Sequence, residues 1–263
     1  MDKKTFYQKI AIEPRTTKTV HVIGKETNKR KTIKPNINNQ EMNEEIKSVN
    51  PDTPSTPKSI KLYKNLGKIE KIFDNETVYL VAGGPSLKGF DFNKLINKNT
   101  IAINKAFIYC ECDVLYWTDM RFYKWFEKEI KEYKGLKVTN KPNPIAKDII
   151  NLRDSGRTGL DTDPRALRHG NNSGYAAINL AYHTGAKNII LLGYDMGQTG
   201  TTSHFHDGYN IRHNPKIYQN NMLPHFNTIV EPLREKGVNV WNANPNSNLK
   251  CFPFCTIDEA LNF

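Results

Sequence analysis

The sequence predicts an α/β protein built on a doubly wound, mostly parallel sheet, with a flexible basic N-terminal arm. Three observations carry that expectation. Short apolar, β-branched runs of four to six residues alternate with stretches of helical period. One of these runs, Val78–Ala82, passes straight into Gly83-Gly84-Pro85-Ser86. Nearly every other run ends in Asn, Asp, Gly or Ser, where a sheet of this kind presents its ligand-binding edge.

The elements follow in order. Residues 1–57 are polar and rich in Lys, Asn and Thr, and they end with Pro51, Pro54 and Pro57 at every third position. That spacing favours an extended linker, so 1–57 is read as the arm and 58–263 as the folded domain. Strands are expected at Val78–Ala82, Thr100–Asn104 and Val114–Thr118. The spacing of Phe122, Trp125, Phe126, Ile130 and Tyr133 predicts a helix. Another helix is expected over Ser173–Thr184, where Ala176, Ala177 and Ala181 suit close packing on a sheet and Ser173 suits an N-cap. A strand at Ile189–Leu192, a helix over 216–236 and a strand at Val238–Trp241 complete the pattern. A helix is also expected after Gly83-Gly84-Pro85-Ser86, its N-terminus facing a phosphate.

Composition limits the function. A chain of 263 residues holds one sizeable α/β domain with an appendage. The net charge is +11, and residues 1–70 carry 15 Lys and Arg against 8 Asp and Glu, so this N-terminal segment holds most of the excess. Such an arm suits contact with nucleic acid or a larger assembly, or plain solvation. Cys110, Cys112, Cys251 and Cys255 lack the tight paired spacing of a zinc site and read as reduced, partly buried thiols of a cytoplasmic protein. No apolar run of 18 residues and no signal-type N-terminus occurs, so neither a membrane span nor standard secretion is expected.

The chemistry gathers at the strand ends: Gly83, Gly84, Pro85 and Ser86; Asn104; Thr118 and Asp119; Asp195; and Asn242–Ser247, including Asn246 and Ser247. Individually these are turn formers, but five ends together point to a ligand crevice. Ser173 and Gly174 add a helix start that suits an anion or a sugar hydroxyl. The loop after Asp195 brings His204, His206 and His213 within ten residues. Histidine suits a general base for activating a hydroxyl. A metal site from His204, His206 and Asp207 and ordinary loop polarity stay open beside that reading, and Asp119 with Arg121 fits an ion pair as well as it fits a ligand site.

Five motifs stand in a recognisable order: Ala-Gly-Gly-Pro-Ser-Leu (82–87), Ala-Ile-Asn-Lys-Ala (102–106), Asn-Ser-Gly-Tyr-Ala (172–176), Leu-Leu-Gly-Tyr-Asp (191–195) and Asn-Pro-Asn-Ser (244–247). Over residues 77–262 the chain resembles a Rossmann-like group that includes bacterial sialyltransferases and motility-associated flagellin glycosyltransferases. Proteins similar to 6-hydroxymethylpterin diphosphokinase also belong to it, and phage genomes carry short relatives. The resemblance implies that Gly84, Pro85 and Ser86 lie beside the nucleotide, with Asn104 and Thr118 reaching nucleotide or sugar. It further implies that Ser173 and Gly174 contact the nucleotide and that a histidine after Asp195 deprotonates the acceptor. The turn is one residue shorter than in the sialyltransferases, and residues 139–170 stand where an acceptor lid is expected.

The expectation is therefore a cytoplasmic transferase of a bacterium or phage-infected host. It would take a CMP- or UDP-linked sugar and a glycan or other hydroxyl acceptor, with no obligatory metal and with His206, His204 or His213 as base. The alternatives are a pterin-type diphosphokinase, in which Asp119 and Asp195 would hold Mg²⁺, and a non-catalytic nucleotide-binding accessory protein.

Overall fold

The computed structural model describes residues 67–141, 148–207 and 216–263. The arm 1–57, the expected domain start at 58 and His213 lie outside the described residues. The strands are β1 (Thr77–Val81), β2 (Asn99–Ile103), β3 (Val114–Trp117), β4 (Leu136–Thr139), β5 (Ile149–Asn151), β6 (Arg153–Asp154), β7 (Ala166–Leu167), β8 (Asn188–Leu192) and β9 (Asn239–Asn242). The α-helices are α1 (Met120–Trp125), α2 (Glu127–Glu132), α3 (Ser173–His183), α4 (Leu223–Glu235) and α5 (Ile257–Ala260).

Seven strands form one sheet in the order β5-β4-β3-β2-β1-β8-β9, and every pairing in it is parallel. The chain winds outward from β1 to β5, then crosses to the other side of β1 for β8 and β9. The order reverses between β1 and β8, the position where an open parallel sheet leaves a crevice beyond its strand ends. Alternating side chains divide the core into two layers. Val78, Leu80, Ile101, Ile103, Ile189 and Leu191 face α3 and α4, while Tyr79, Val81, Ala102, Ile190 and Leu192 face α1, α2 and α5. Ala176, Ala177 and Ala181 are fully buried, so the small residues of α3 do bring it close onto the sheet.

Four local expectations are corrected. After Gly84 the chain forms only a 3-10 turn, Pro85–Leu87, because Lys88 is extended and Gly89 takes a left-handed φ of 78°. The turn is therefore no helix N-terminus. The cap of α3 is Asn172, extended at φ −149°, whose side chain accepts from the Tyr175 N–H; Ser173 is already inside the helix. The aromatic helix breaks at Phe126 into α1 and α2. Finally, the 216–236 helix opens with a π-turn, Tyr218–Met222, before α4 begins. Within 139–170 the described residues supply β5 and the small β6–β7 pair. The four cysteines are free thiols, with Cys110 and Cys255 buried. No helix among the described residues is long and apolar enough to cross a membrane.

Candidate active site

A cleft of about 980 Å³ opens over the C-terminal ends of the central strands. Its floor is the junction of two turns. Ala82 N–H donates to the Leu192 carbonyl and Gly84 N–H to the Gly193 carbonyl, each at 2.9 Å, which extends the β1–β8 pairing past the strands. A side-chain carbon at Gly84 would run into the Asp195 carboxylate and the Gly193 carbonyl, so only glycine fits there. Ser86 closes the junction: its N–H donates to Asp195 Oδ2 at 2.8 Å and its hydroxyl to Oδ1 at 2.6 Å. Ser247 Oγ donates to the Tyr194 carbonyl at 2.6 Å and Asn248 N–H to the Asp195 carbonyl at 3.0 Å.

The other strand ends supply the polar wall. Asn104 takes a left-handed φ of 53°, and its buried Oδ1 has no hydrogen-bond partner among the described residues. It lines the cleft beside Thr118. Ser173 Oγ donates to Thr118 Oγ1 at 3.2 Å, Thr118 lies 3.1 Å from the Tyr116 hydroxyl, and Tyr116 donates to Asn140 Oδ1 at 3.2 Å. This hydroxyl chain ties the start of α3 to the ends of β3 and β4. Gly174 leaves room for Tyr194, whose hydroxyl donates to the Gly174 carbonyl at 3.0 Å.

Histidines enter from two directions. The loop carrying His204 is clamped on the turn, as Phe205 N–H donates to the Gly83 carbonyl at 3.0 Å. His204 lines the cleft, with Ser203 Oγ 2.9 Å from its Nδ1. His206 lies behind it, only 9% exposed, its ring stacked on Tyr109 at 5.6 Å. Burial, then the nearby Lys105 ammonium, pushes His206 down to about 4, so its ring is neutral near pH 7. The second direction went unseen in the sequence. His169 lines the opposite part of the cleft, its Nδ1 accepting from Asn171 N–H at 3.0 Å and its Nε2 3.5 Å from Asp154, which also pairs with Lys141 at 3.1 Å. Burial lowers its pKa as well. The Arg-His-Gly run before Asn171 is the only local signal for it. Lys141 follows β4, a strand too short to read from periodicity.

Of the residues expected at the site, Gly83, Gly84, Asn104, Thr118, Asp119, Ser173, Gly174, Asp195 and His204 line the cleft. Pro85, Ser86, His206, Asn246 and Ser247 are not in its lining; Ser86 and Ser247 instead brace the Asp195 turn from behind. Asp119 caps α1 through Arg121 N–H at 2.8 Å, and the Arg121 guanidinium holds its carboxyl below the usual range. Both carboxylates proposed for Mg²⁺ are thus engaged by protein donors. Among the described residues no three His, Cys, Asp or Glu side chains gather as a cation site.

The sequence matches no protein-family model and no curated protein. Among solved structures, the chain is similar to the MAf glycosyltransferase from Magnetospirillum magneticum AMB-1, at 12% identity and a TM-score of 0.50 over 74% of this chain and 37% of that one. It is also similar to the sialyltransferase CstII from Campylobacter jejuni. In complex with the substrate analogue cytidine-5'-monophosphate, CstII matches at 16% identity and a TM-score of 0.43 over 68% of this chain and 84% of that one. In complex with CMP-3FNeuAc it matches at 18% identity and a TM-score of 0.40. The chain has a Rossmann-like α/β fold, and it shares that fold with the matched part of the MAf glycosyltransferase.

Proposed function

We propose that this chain is a nucleotide-sugar-dependent glycosyltransferase, moving a sugar from a CMP- or UDP-linked donor to an acceptor hydroxyl with His204 as general base. The observation that carries the reading is the placement of His204. Of the loop histidines among the described residues it is the one that lines the cleft, directly over Gly83 at the β1 end, while His206 is buried behind it. In this reaction His204 takes the acceptor proton as the acceptor oxygen bonds to the anomeric carbon. The bond from that carbon to the phosphate oxygen breaks, and the nucleotide leaves with the electron pair. Asn104 and Thr118 orient the donor, and the positive end of α3, opened by Gly174, steadies the leaving phosphate. The donor class follows the resemblance of the motifs.

The test is nucleotide release by the full chain from CMP- and UDP-sugars with a panel of hydroxyl acceptors. We expect turnover without added metal, and a loss of about 100-fold or more in kcat for His204→Asn while nucleotide affinity holds. Transfer that requires ATP and Mg²⁺, or a His204→Asn enzyme with wild-type kcat, would overturn the reading.

A further inference from the structure

The cleft has a second wall, opposite in character to the polar strand ends. The described residues contain three methionines, Met120, Met196 and Met222, and all three line this cleft. Met196 and Met222 stand on one side of it with Tyr218, and that side is continuous with the core layer beneath α3 and α4. The backbone there is unusual at two points. Met196 has a left-handed φ of 49°, a strained choice for an unbranched side chain in the turn after β8. Tyr218 and Met222 are the first and fifth residues of the π-turn, whose widened bonding brings them to one face; such turns occur often at binding sites. Asn172, the α3 cap, donates its side-chain N–H to Met222 Sδ at 3.3 Å and so fixes the thioether at the cleft edge.

We propose that Met196, Tyr218 and Met222 form a seat for a flat aromatic ring. Thioethers and a phenol ring offer a polarizable, adaptable surface that favours ring faces, and a sugar alone would leave that surface wet. The source of the ring follows from the reaction proposed above, on which this assignment rests. Phe205, beside His204, packs with one core layer and Met196, Tyr218 and Met222 with the other, so the base and the methionine wall reach the cleft from opposite faces of the sheet. Displacement at the anomeric carbon puts acceptor and base on one side and the leaving nucleotide on the other. The ring is therefore the nucleobase of the donor.

The full chain labelled with methyl-13C methionine tests this, its signals assigned with Met196→Leu and Met222→Leu. The probes are CMP, UMP, AMP, ribose 5-phosphate and p-nitrophenyl galactoside, with calorimetry alongside. At least one nucleotide is expected to shift both the Met196 and Met222 methyl signals through ring currents, and ribose 5-phosphate to shift neither. Met222→Ala should weaken that nucleotide about tenfold, roughly the value of one good ring contact, and leave ribose 5-phosphate unchanged. Nucleotides that bind without moving either signal would overturn the seat and leave the proposed function standing. Shifts from p-nitrophenyl galactoside alone would overturn the nucleobase assignment in favour of an aromatic acceptor. No binding by any probe would sink both this inference and the proposed function.

Discussion

Ser86 and Asp195 meet across the end of the sheet, with the Ser86 N–H 2.8 Å from Oδ2 and its hydroxyl 2.6 Å from Oδ1. One residue follows β1 and the other follows β8, so the pair pins together the two turns where the strand order reverses. Removing the carboxylate with Asp195→Ala should lower stability by about 2 kcal/mol, and Ser86→Ala by about 1 kcal/mol. The double variant should cost no more than Asp195→Ala alone, since both changes remove one interaction. Urea unfolding of the three variants reads this directly; additive losses would show that Asp195 has a separate structural partner.

Gly84 is the tightest point of the cleft floor. A methyl group there would collide with the Asp195 carboxylate and the Gly193 carbonyl, both of them held in place. Gly84→Ala should destabilise the protein by about 1–3 kcal/mol and abolish measurable nucleotide binding. Gly89→Ala provides the contrast. It sits at φ 78° with open space around it and should show only backbone strain, with binding intact by calorimetry.

Asn104 behaves differently, because its buried Oδ1 lacks a partner among the described residues and its backbone is left-handed. Asn104→Gly relieves both features, so thermal stability should hold or rise. Nucleotide affinity should fall about tenfold as a donor-orienting contact is lost. A stability loss with unchanged affinity would assign Asn104 to the scaffold instead.

Acid should unfold this protein through its histidines. Burial lowers the pKa of His183, His169 and His206, the last to about 4. The unfolded chain therefore binds protons more readily, and stability is full above about pH 6.5 and falls as pH drops toward 4. His206 contributes a slope of up to about 1.4 kcal/mol per pH unit within that window, and His183 and His169 add slope of the same sign below about pH 6.5. His183 owes its share to burial, which outweighs the opposing pull of the Ala166 carbonyl 2.9 Å from its Nε2. Melting temperatures from pH 8 to pH 4.5 should drop steadily below pH 6.5, and His183→Gln should flatten part of the slope.

The parallel sheet and its ligand edge were legible because each central strand is a continuous apolar run buried on both faces. Val78–Val81 and Ile189–Leu192 read as strands on hydrophobicity alone. The short edge elements were not legible. β4 carries a buried lysine, Lys137, paired with Asp148, and β5 has three residues, so neither shows a run or a period. For the same reason Lys141, at the end of β4, and His169, beyond β7, were missed as cleft residues.

At the site itself, local residue types determined which segments border the cleft: Gly83-Gly84, Asn104, Thr118 and the α3 start all follow from turn chemistry at strand ends. Tertiary packing decided which of their side chains face it. Ser247 carries the right polarity but supports the Asp195 turn from behind, because the segment after β9 packs against the Tyr194 and Asp195 carbonyls, while Asn246 donates its N–H to Asn244 Oδ1 within that segment. His204 and His206 are two residues apart and identical in chemistry. Tyr109, brought in from the segment after β2, covers one of them and leaves the other at the cleft. Sequence sets the chemistry available along a segment, while burial by distant segments selects which group keeps access to solvent and substrate.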